Sequence, residues 1–480
     1  MNRNIAVGII FSVFLNLIVK SVWILGIELG VQRAVGNEMY GTYYGLFSFS
    51  MLFLIVLDLG ITQYNTRNIA RDPSLFSSQL FNLSVLKFML GILYFLILII
   101  AGFFSAYFNQ WMYVLILLGI ANFFNSFTLY FRSNMNALFH FKTDAIFSIA
   151  DRALLIIFCG IALTGWINAS MNIELFAWMQ FASSAIVATV ACIVNVQLAK
   201  KPAIQFNILL MKSTLIAGIP FALLHLVMSL YTRTDVVLMH FLIEDASTQS
   251  GIYAASYRLF DAFSQFTIIA SGIMFPFFAR SIKANEPVQA LFGFILRNLI
   301  ALSFIISTAC LFFATGISSM LFNDDVAETA INLRILIWIS IPFSISIISG
   351  AYITARGHMR LLITTGLIAW IINFSCNLWL IPLMGANGAA IVAFITHTVS
   401  ASILLFACFR FITFTHVSKH LIRMTILSAV CLLTGWLSCQ LPFTEKFQLL
   451  IFIISSMFYW TIHIFPERHI FQNVLASKSN

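Results

Sequence analysis

Fourteen apolar stretches long enough to cross a bilayer recur along the 480 residues, beginning near residues 5, 40, 80, 112, 144, 173, 211, 251, 290, 328, 359, 385, 421 and 447. A helix needs about 20 apolar residues to span ~30 Å of hydrocarbon, and at about 22 residues each these segments use about 310 of the chain. The connections left are about a dozen residues or fewer, too short for a folded extramembrane domain. The chain is 61% hydrophobic and only 9% charged, with a mean hydropathy of +0.97. A soluble domain carries roughly a quarter charged residues, so a large soluble enzyme is excluded. The expected fold is an all-α polytopic membrane protein of about 14 transmembrane helices. The first stretch, from Ile5 to Ile27, is too long for a signal-peptide core and has no small-x-small cleavage site, so it should remain as the first helix.

Charge placement tests the count. With the amino terminus on the cytoplasmic side, all Lys and Arg fall at cytoplasmic ends and loops except Lys20, Arg33, Arg233, Arg258, Arg334 and Lys446. That places Lys87, Arg132 and Arg152 among the cytoplasmic anchors. Glu28, Glu38, Glu174, Glu244, Asp245, Asp324, Asp325, Glu328 and Glu445 gather toward the outer side. Adding or losing one helix would scramble this alternation. The expected location is the cell inner membrane with both termini cytoplasmic. The net charge of +9 comes from basic residues scattered singly between apolar spans, which suits membrane orientation and not nucleic acid. The seven cysteines all lie in apolar stretches, form no CxxC pair and are odd in number, so neither a disulfide framework nor a zinc site is expected.

A short repeat links the two halves. The second segment opens GTY at Gly41 and ends AR at Ala70 and Arg71; the eighth opens GIY at Gly251 and ends AR at Ala279 and Arg280. ALFHFK (137–142) and ARGHMR (355–360) share a pattern after the fourth and tenth segments. The implied organisation is a six-helix lobe over 1–200, a second over 201–415 and a further helix pair with a short cytoplasmic tail over 416–480, with the basic KKP at 200–202 as linker. Duplicated halves characterise transporters that bind substrate between repeats.

Charged groups at depth in a bilayer cost roughly 2.5–3.5 kcal/mol each, so they pair or line a wet cavity. Lys20 lies ~22 Å along the first segment, Arg233 and Asp235 near the outer end of the seventh, and Arg258 and Asp261 ~10–15 Å into the eighth. Each has a bland reading: Lys20 snorkelling to headgroups, Arg258 tied to Asp261 one turn away. Taken together, Lys20, Arg233 and Arg258 at similar depth suggest a wet, cation-lined chamber for an anionic substrate such as a phosphate or pyrophosphate. Asp58 interrupts the second segment in LIVLDLGIT, and three readings stay open: a proton or sodium site, a partner for a distant basic residue, or a cap at the DLG bend. His225 and the Asn373/Asn377 pair also belong to this interior or to helix packing. No nucleotide loop, GxSxG, HExxH or metal cluster occurs, so the chain is not expected to be an enzyme or to hold a cofactor, beyond coupling to H+ or Na+.

YGTYYGLFSFSMLFLIVLDLGITQYNTRNIAR (40–71) resembles the second-helix signature of Wzx-type polysaccharide flippases, and YTRTDVVLMHFLIEDASTQSGIYAASYRLFDAF (231–263) resembles their helix 7–8 segment. These flippases belong to the multidrug/oligosaccharidyl-lipid/polysaccharide exporter superfamily. The resemblance implies two six-helix bundles that move an undecaprenyl-pyrophosphate-linked oligosaccharide, such as an O-antigen or capsular repeat unit, between leaflets. It implies Lys20, Arg233 and Arg258 as the substrate-binding positions and Asp58, Asp235 and Asp261 as the ion-coupling or charge-pairing ones. The last two helices would form a groove for the isoprenoid, and polysaccharide polymerase machinery would be a partner. The alternatives are an ion-coupled multidrug exporter, which calls for an acidic or aromatic pocket, and a membrane-embedded O-antigen polymerase or ligase. The latter calls for a large outer loop that this chain lacks.

Overall fold

The apolar runs become helices throughout, and among the described residues there is no strand. The computed structural model describes residues 15–165, 170–200, 204–284, 286, 288–412 and 417–463, with the backbone alone at 106, 107, 276, 283, 417–421, 462 and 463. The chain termini and the Lys201–Pro202 part of the linker, on which expectations of orientation and lobe boundary rest, lie outside the described residues.

The helices are α1 (Leu15–Val35), α2 (Asn37–Leu52), α3 (Ile61–Arg71), α4 (Leu75–Phe103), α5 (Met112–Ala137), α6 (Phe141–Leu163), α7 (Ile173–Ala199), α8 (Ile208–Leu242), α9 (Ala246–Lys283) and α10 (Gln289–Leu321). They continue as α11 (Val326–Ala355), α12 (Met359–Phe409), α13 (Val417–Cys439) and α14 (Glu445–His463). Among the described residues, eleven helices are long and apolar enough to cross a membrane, or twelve when α2 and α3, bent by 50°, count as one span. The 51 residues of α12 would stretch ~77 Å if straight, more than twice the hydrocarbon thickness. Its backbone leaves helical geometry at Gly385 (φ 55°, ψ −130°), three residues after Pro382. The expected eleventh and twelfth segments are its two limbs.

The chain divides into two units, residues 1–251 and 252–480. In the first, α5 is central: α2, α3, α4, α6 and α7 all pack on it. An amide ladder pins three helices at this core, with Asn65 Nδ2 donating to Asn134 Oδ1 (2.5 Å) and Asn134 Nδ2 to Asn195 Oδ1 (3.0 Å). In hydrocarbon, where apolar burial gives no net drive between helices, such contacts and close packing hold a bundle together. The helix after the expected linker, α8, packs on α2 and α3 and belongs to this first unit.

Close approach is built on glycine. A Cβ on Gly41 of α2 would overlap the carbonyl oxygen of Ser247 and crowd the Gly251 amide, and one on Gly251 would overlap the carbonyl of Asn37. The two landmarks of the sequence repeat therefore meet at one crossing, which Gln32 completes by donating to Asn37 Oδ1 (2.6 Å) and Gly251 O (3.1 Å). In the second unit α10 packs on α11, α13 and α14, and α11 on α12. The last helix pair is seated through a buried cluster that includes Phe313, Leu427, Cys431 and Phe452. All seven cysteines are free thiols, four of them buried.

Candidate functional site

Two charged constellations form inside the first unit. The first joins α1, α5 and α6. Arg152 lies eleven residues into α6, ~17 Å along its axis, so it sits in the body of the span. Its guanidinium stacks over Trp23 of α1 at 5.1 Å and lies 3.6 Å from Asp151. Arg132 of α5 donates from Nε to Asp144 Oδ1 at 2.8 Å. Lys20, half-buried on α1, feels the charges of Arg152, Arg132 and Asp151, and Asn16 Nδ2 ties α1 to Ser148 Oγ of α6 (2.7 Å).

Three cations against Asp144 and Asp151 leave the group one positive charge in excess. The Lys20 ammonium and the Arg152 guanidinium donate no hydrogen bond to any described residue. A third of the Arg152 side chain is exposed (34%). An ammonium offers three donors and a guanidinium five in a planar fork, a combination suited to phosphate oxygens.

Lys20, singled out from the sequence, is half-buried on α1 beside these groups, whereas the sequence reading assigned Arg132 and Arg152 to the cytoplasmic surface. Arg152 is corrected because α6 starts at Phe141, which carries the Asp151–Arg152 pair past the interface. The missed signal was the string KTDAIFSIADR, where Asp144, Asp151 and Arg152 recur at i, i+7 and i+8 on one helical face.

The second constellation explains much about Asp58. The helix breaks there: Phe53 leaves helical geometry, Leu54–Leu57 form a 3-10 turn, and Leu59 and Gly60 take positive φ (43° and 76°) before α3 starts. A Cβ on Gly60 would overlap the Gly218 carbonyl of α8, so only glycine meets both the left-handed φ and the close approach. The break frees the Leu57 carbonyl, which accepts from Lys87 Nζ (3.0 Å) and Ser126 Oγ (3.2 Å). Lys87 Nζ also pairs with Asp58 Oδ1 at 2.7 Å. The Asp58 carboxylate caps α3, accepting from Thr62 N (3.3 Å) and Thr62 Oγ1. Of the three readings, charge partner and cap are both seen. Lys87, expected at the cytoplasmic surface, is instead fully enclosed (0% exposed) twelve residues into α4, while Asp58 retains 25% exposure.

The remaining candidates divide between the units. Arg233 and Asp235 lie on α8 in the first. Arg233 Nη1 reaches Tyr44 Oη at 3.4 Å and its guanidinium covers Phe47 at 5.4 Å, so it is held by aromatic groups of α2; Asp235 is buried. His225, also on α8, bonds through Nε2 with Gln63 Nε2 of α3 (2.8 Å). Arg258 (4% exposed) and Asp261 (half-buried) lie one turn apart on α9 in the second unit. There Asn377 Nδ2 donates to Asn373 Oδ1 (3.1 Å), with both buried, which is a packing role. No group of three or more His, Cys, Asp or Glu is placed to hold a metal among the described residues.

Against known proteins, the chain has the fold of a lipid II flippase, MurJ, in an inward closed conformation: TM-score 0.73 at 15% identity, covering 95% of this chain and 98% of that one. It also matches the eukaryotic MATE transporter AtDTX14 (TM-score 0.62, 13% identity, 87% and 97% covered). An inward-facing multidrug resistance MATE family transporter of the MOP superfamily matches likewise (TM-score 0.59, 12% identity, 83% and 94% covered). No curated protein matches by sequence. A family model described as polysaccharide biosynthesis protein matches residues 6–282, more than half the chain, including the helix break, both charged constellations and the Gly41–Gly251 crossing. The chain thus belongs to the polysaccharide biosynthesis protein family.

Proposed function

We propose that the protein is a flippase that carries an undecaprenyl-pyrophosphate-linked oligosaccharide, an O-antigen or capsular repeat unit, across the cell inner membrane by alternating access. The observation that carries this reading is that Lys20 on α1 and Arg152, eleven residues into α6, donate no hydrogen bond to any described residue. A cation inside a membrane-spanning helix costs roughly 2.5–3.5 kcal/mol unless it is compensated, and a pyrophosphate is a compensating ligand matched in charge and geometry. In this reading the headgroup engages Lys20, Arg132 and Arg152 of the first unit, with Arg233 as a further contact. Transport is driven by a proton or sodium gradient, with Asp58, Asp235 and Asp261 as the candidate coupling residues. Both termini face the cytoplasm, and the flipped product passes to polysaccharide polymerase machinery.

The test is genetic. Deleting the gene should make lipid-linked oligosaccharide accumulate on the cytoplasmic leaflet, and the intact gene should clear it. A plasmid carrying Lys20→Gln with Arg152→Gln, at normal expression, should restore a tenth of the flux or less. Full clearance by that variant would remove the anion site, and no accumulation in the deletion strain would remove the flippase reading in favour of a drug exporter.

A further inference from the structure

A second cationic cavity lies in the second unit, remote in sequence from the groups above, where the turn between α11 and α12 meets the far end of α12. It encloses about 730 Å³ and is lined by Arg360, Arg410 and His358 together with Leu361, Ile403 and Phe406. That volume falls within the ~300–1,000 Å³ range of ligand pockets. Its rim is organised by ring contacts: Arg410 over Phe406 at 5.5 Å, Arg356 over Phe411 at 4.2 Å, and His358 stacked on Phe411 at 5.2 Å and 17°. Arg356 Nη1 is further held by Tyr352 Oη (3.1 Å). The wall behind is rigid, because Tyr352, Leu404, Ala407, Cys408 and Ile412 belong to one buried cluster.

Among the described residues, no acidic group neutralises these charges. Arg356, Arg360 and Arg410 form no ion pair among the described residues. From Glu328 to Glu445 the sequence holds no carboxylate at all. The cavity is thus cationic at its rim and apolar along Leu361, Ile403 and Phe406, at the end of spans where headgroups meet hydrocarbon. Single arginines anchoring helices need no cavity, whereas a basic pocket between transmembrane helices matches an anionic headgroup.

We propose that this cavity is a binding site for an anionic glycerophospholipid, whose phosphate is held by Arg360 and Arg410 and whose first acyl methylenes lie on Leu361, Ile403 and Phe406. The site shares no residue with the proposed headgroup contacts and does not depend on that reading. The guanidinium pair supplies charge-assisted hydrogen bonds to the phosphodiester, and the aromatic faces fix the forks before the lipid arrives.

The experiment is native mass spectrometry of the purified full-length protein titrated with phosphatidylglycerol or with phosphatidylcholine of the same chains, alongside thermal melting in each lipid and in inorganic phosphate. Phosphatidylglycerol should be retained at least tenfold more strongly than phosphatidylcholine and should raise the melting temperature. R360Q with R410Q should abolish both effects while remaining monodisperse. The single variants R360Q and R410Q carry the same test should the pair fold poorly. Arg71→Gln with Lys212→Gln, which removes equal charge from exposed positions elsewhere, should leave retention unchanged. The proposal is overturned if the two lipids bind alike, if free phosphate stabilises as well as the lipid, or if the Arg71/Lys212 variant loses as much as R360Q/R410Q.

Discussion

The ammonium of Lys87 sits between a carboxylate and a carbonyl released by a broken helix, with no surface exposed. Removing one member of a buried pair strands the other, at a cost of roughly 3–5 kcal/mol, far above the ~0–1 kcal/mol of an exposed pair. Lys87→Met should therefore lower the melting temperature of the purified protein sharply, and adding Asp58→Asn should recover a substantial part of the loss. Additive losses in that double-mutant cycle would show that the two groups are not coupled. Arg152 behaves differently, because its stacking on Trp23 and its loose 3.6 Å approach to Asp151 leave it available to a ligand. Arg152→Gln should change melting by less than Lys87→Met yet depress flux at least tenfold. At this scale the sequence was only partly readable. Lys20 and Asp58 stood out because each interrupts an apolar run. Lys87, Arg132 and Arg152 were hidden because they stand near segment ends, where a surface anchor and a buried partner look alike until the neighbouring helix is known.

At the scale of elements the segments were legible, since hydrocarbon thickness sets helix length directly: of the fourteen expected starts, the first, near residue 5, lies outside the described residues, and the other thirteen fall within or beside a helix. What the apolar pattern could not convey is where a helix breaks. The 3-10 turn at Leu54–Leu57 lies inside an unbroken apolar run, and only the Leu59–Gly60 pair with positive φ closes the bend. The repeat landmarks had a structural meaning that spacing alone did not reveal: Gly41 and Gly251 are the contact surface between α2 and the start of α9. Gly41→Ala should push these backbones apart and destabilise the protein by about 1–3 kcal/mol, as overpacking does. Gly160→Ala on α6, where nothing lies within 4 Å of the added methyl, should be neutral or slightly stabilising, the reverse sign at the same substitution. Equal melting shifts for the two variants would contradict the role given to the crossing.

At the scale of the whole molecule, a chain with 9% charged residues places several of its few charges inside helices, and two in the first unit, Lys20 and Arg152, donate no hydrogen bond to any described residue. The proposed function takes the cationic excess on α1, α5 and α6 as the place where the negatively charged headgroup of a lipid-linked substrate binds. The most direct measurement is leaflet transfer in proteoliposomes holding the purified protein and a fluorescent undecaprenyl-pyrophosphate oligosaccharide, with inner-leaflet label read by resistance to a membrane-impermeant quencher. Wild type should transfer the pyrophosphate lipid at least tenfold faster than protein-free vesicles and than Lys20→Gln/Arg152→Gln, with excess free pyrophosphate slowing transfer. Equal transfer by wild type and variant, or transfer undiminished for an analogue lacking the pyrophosphate, would contradict the account.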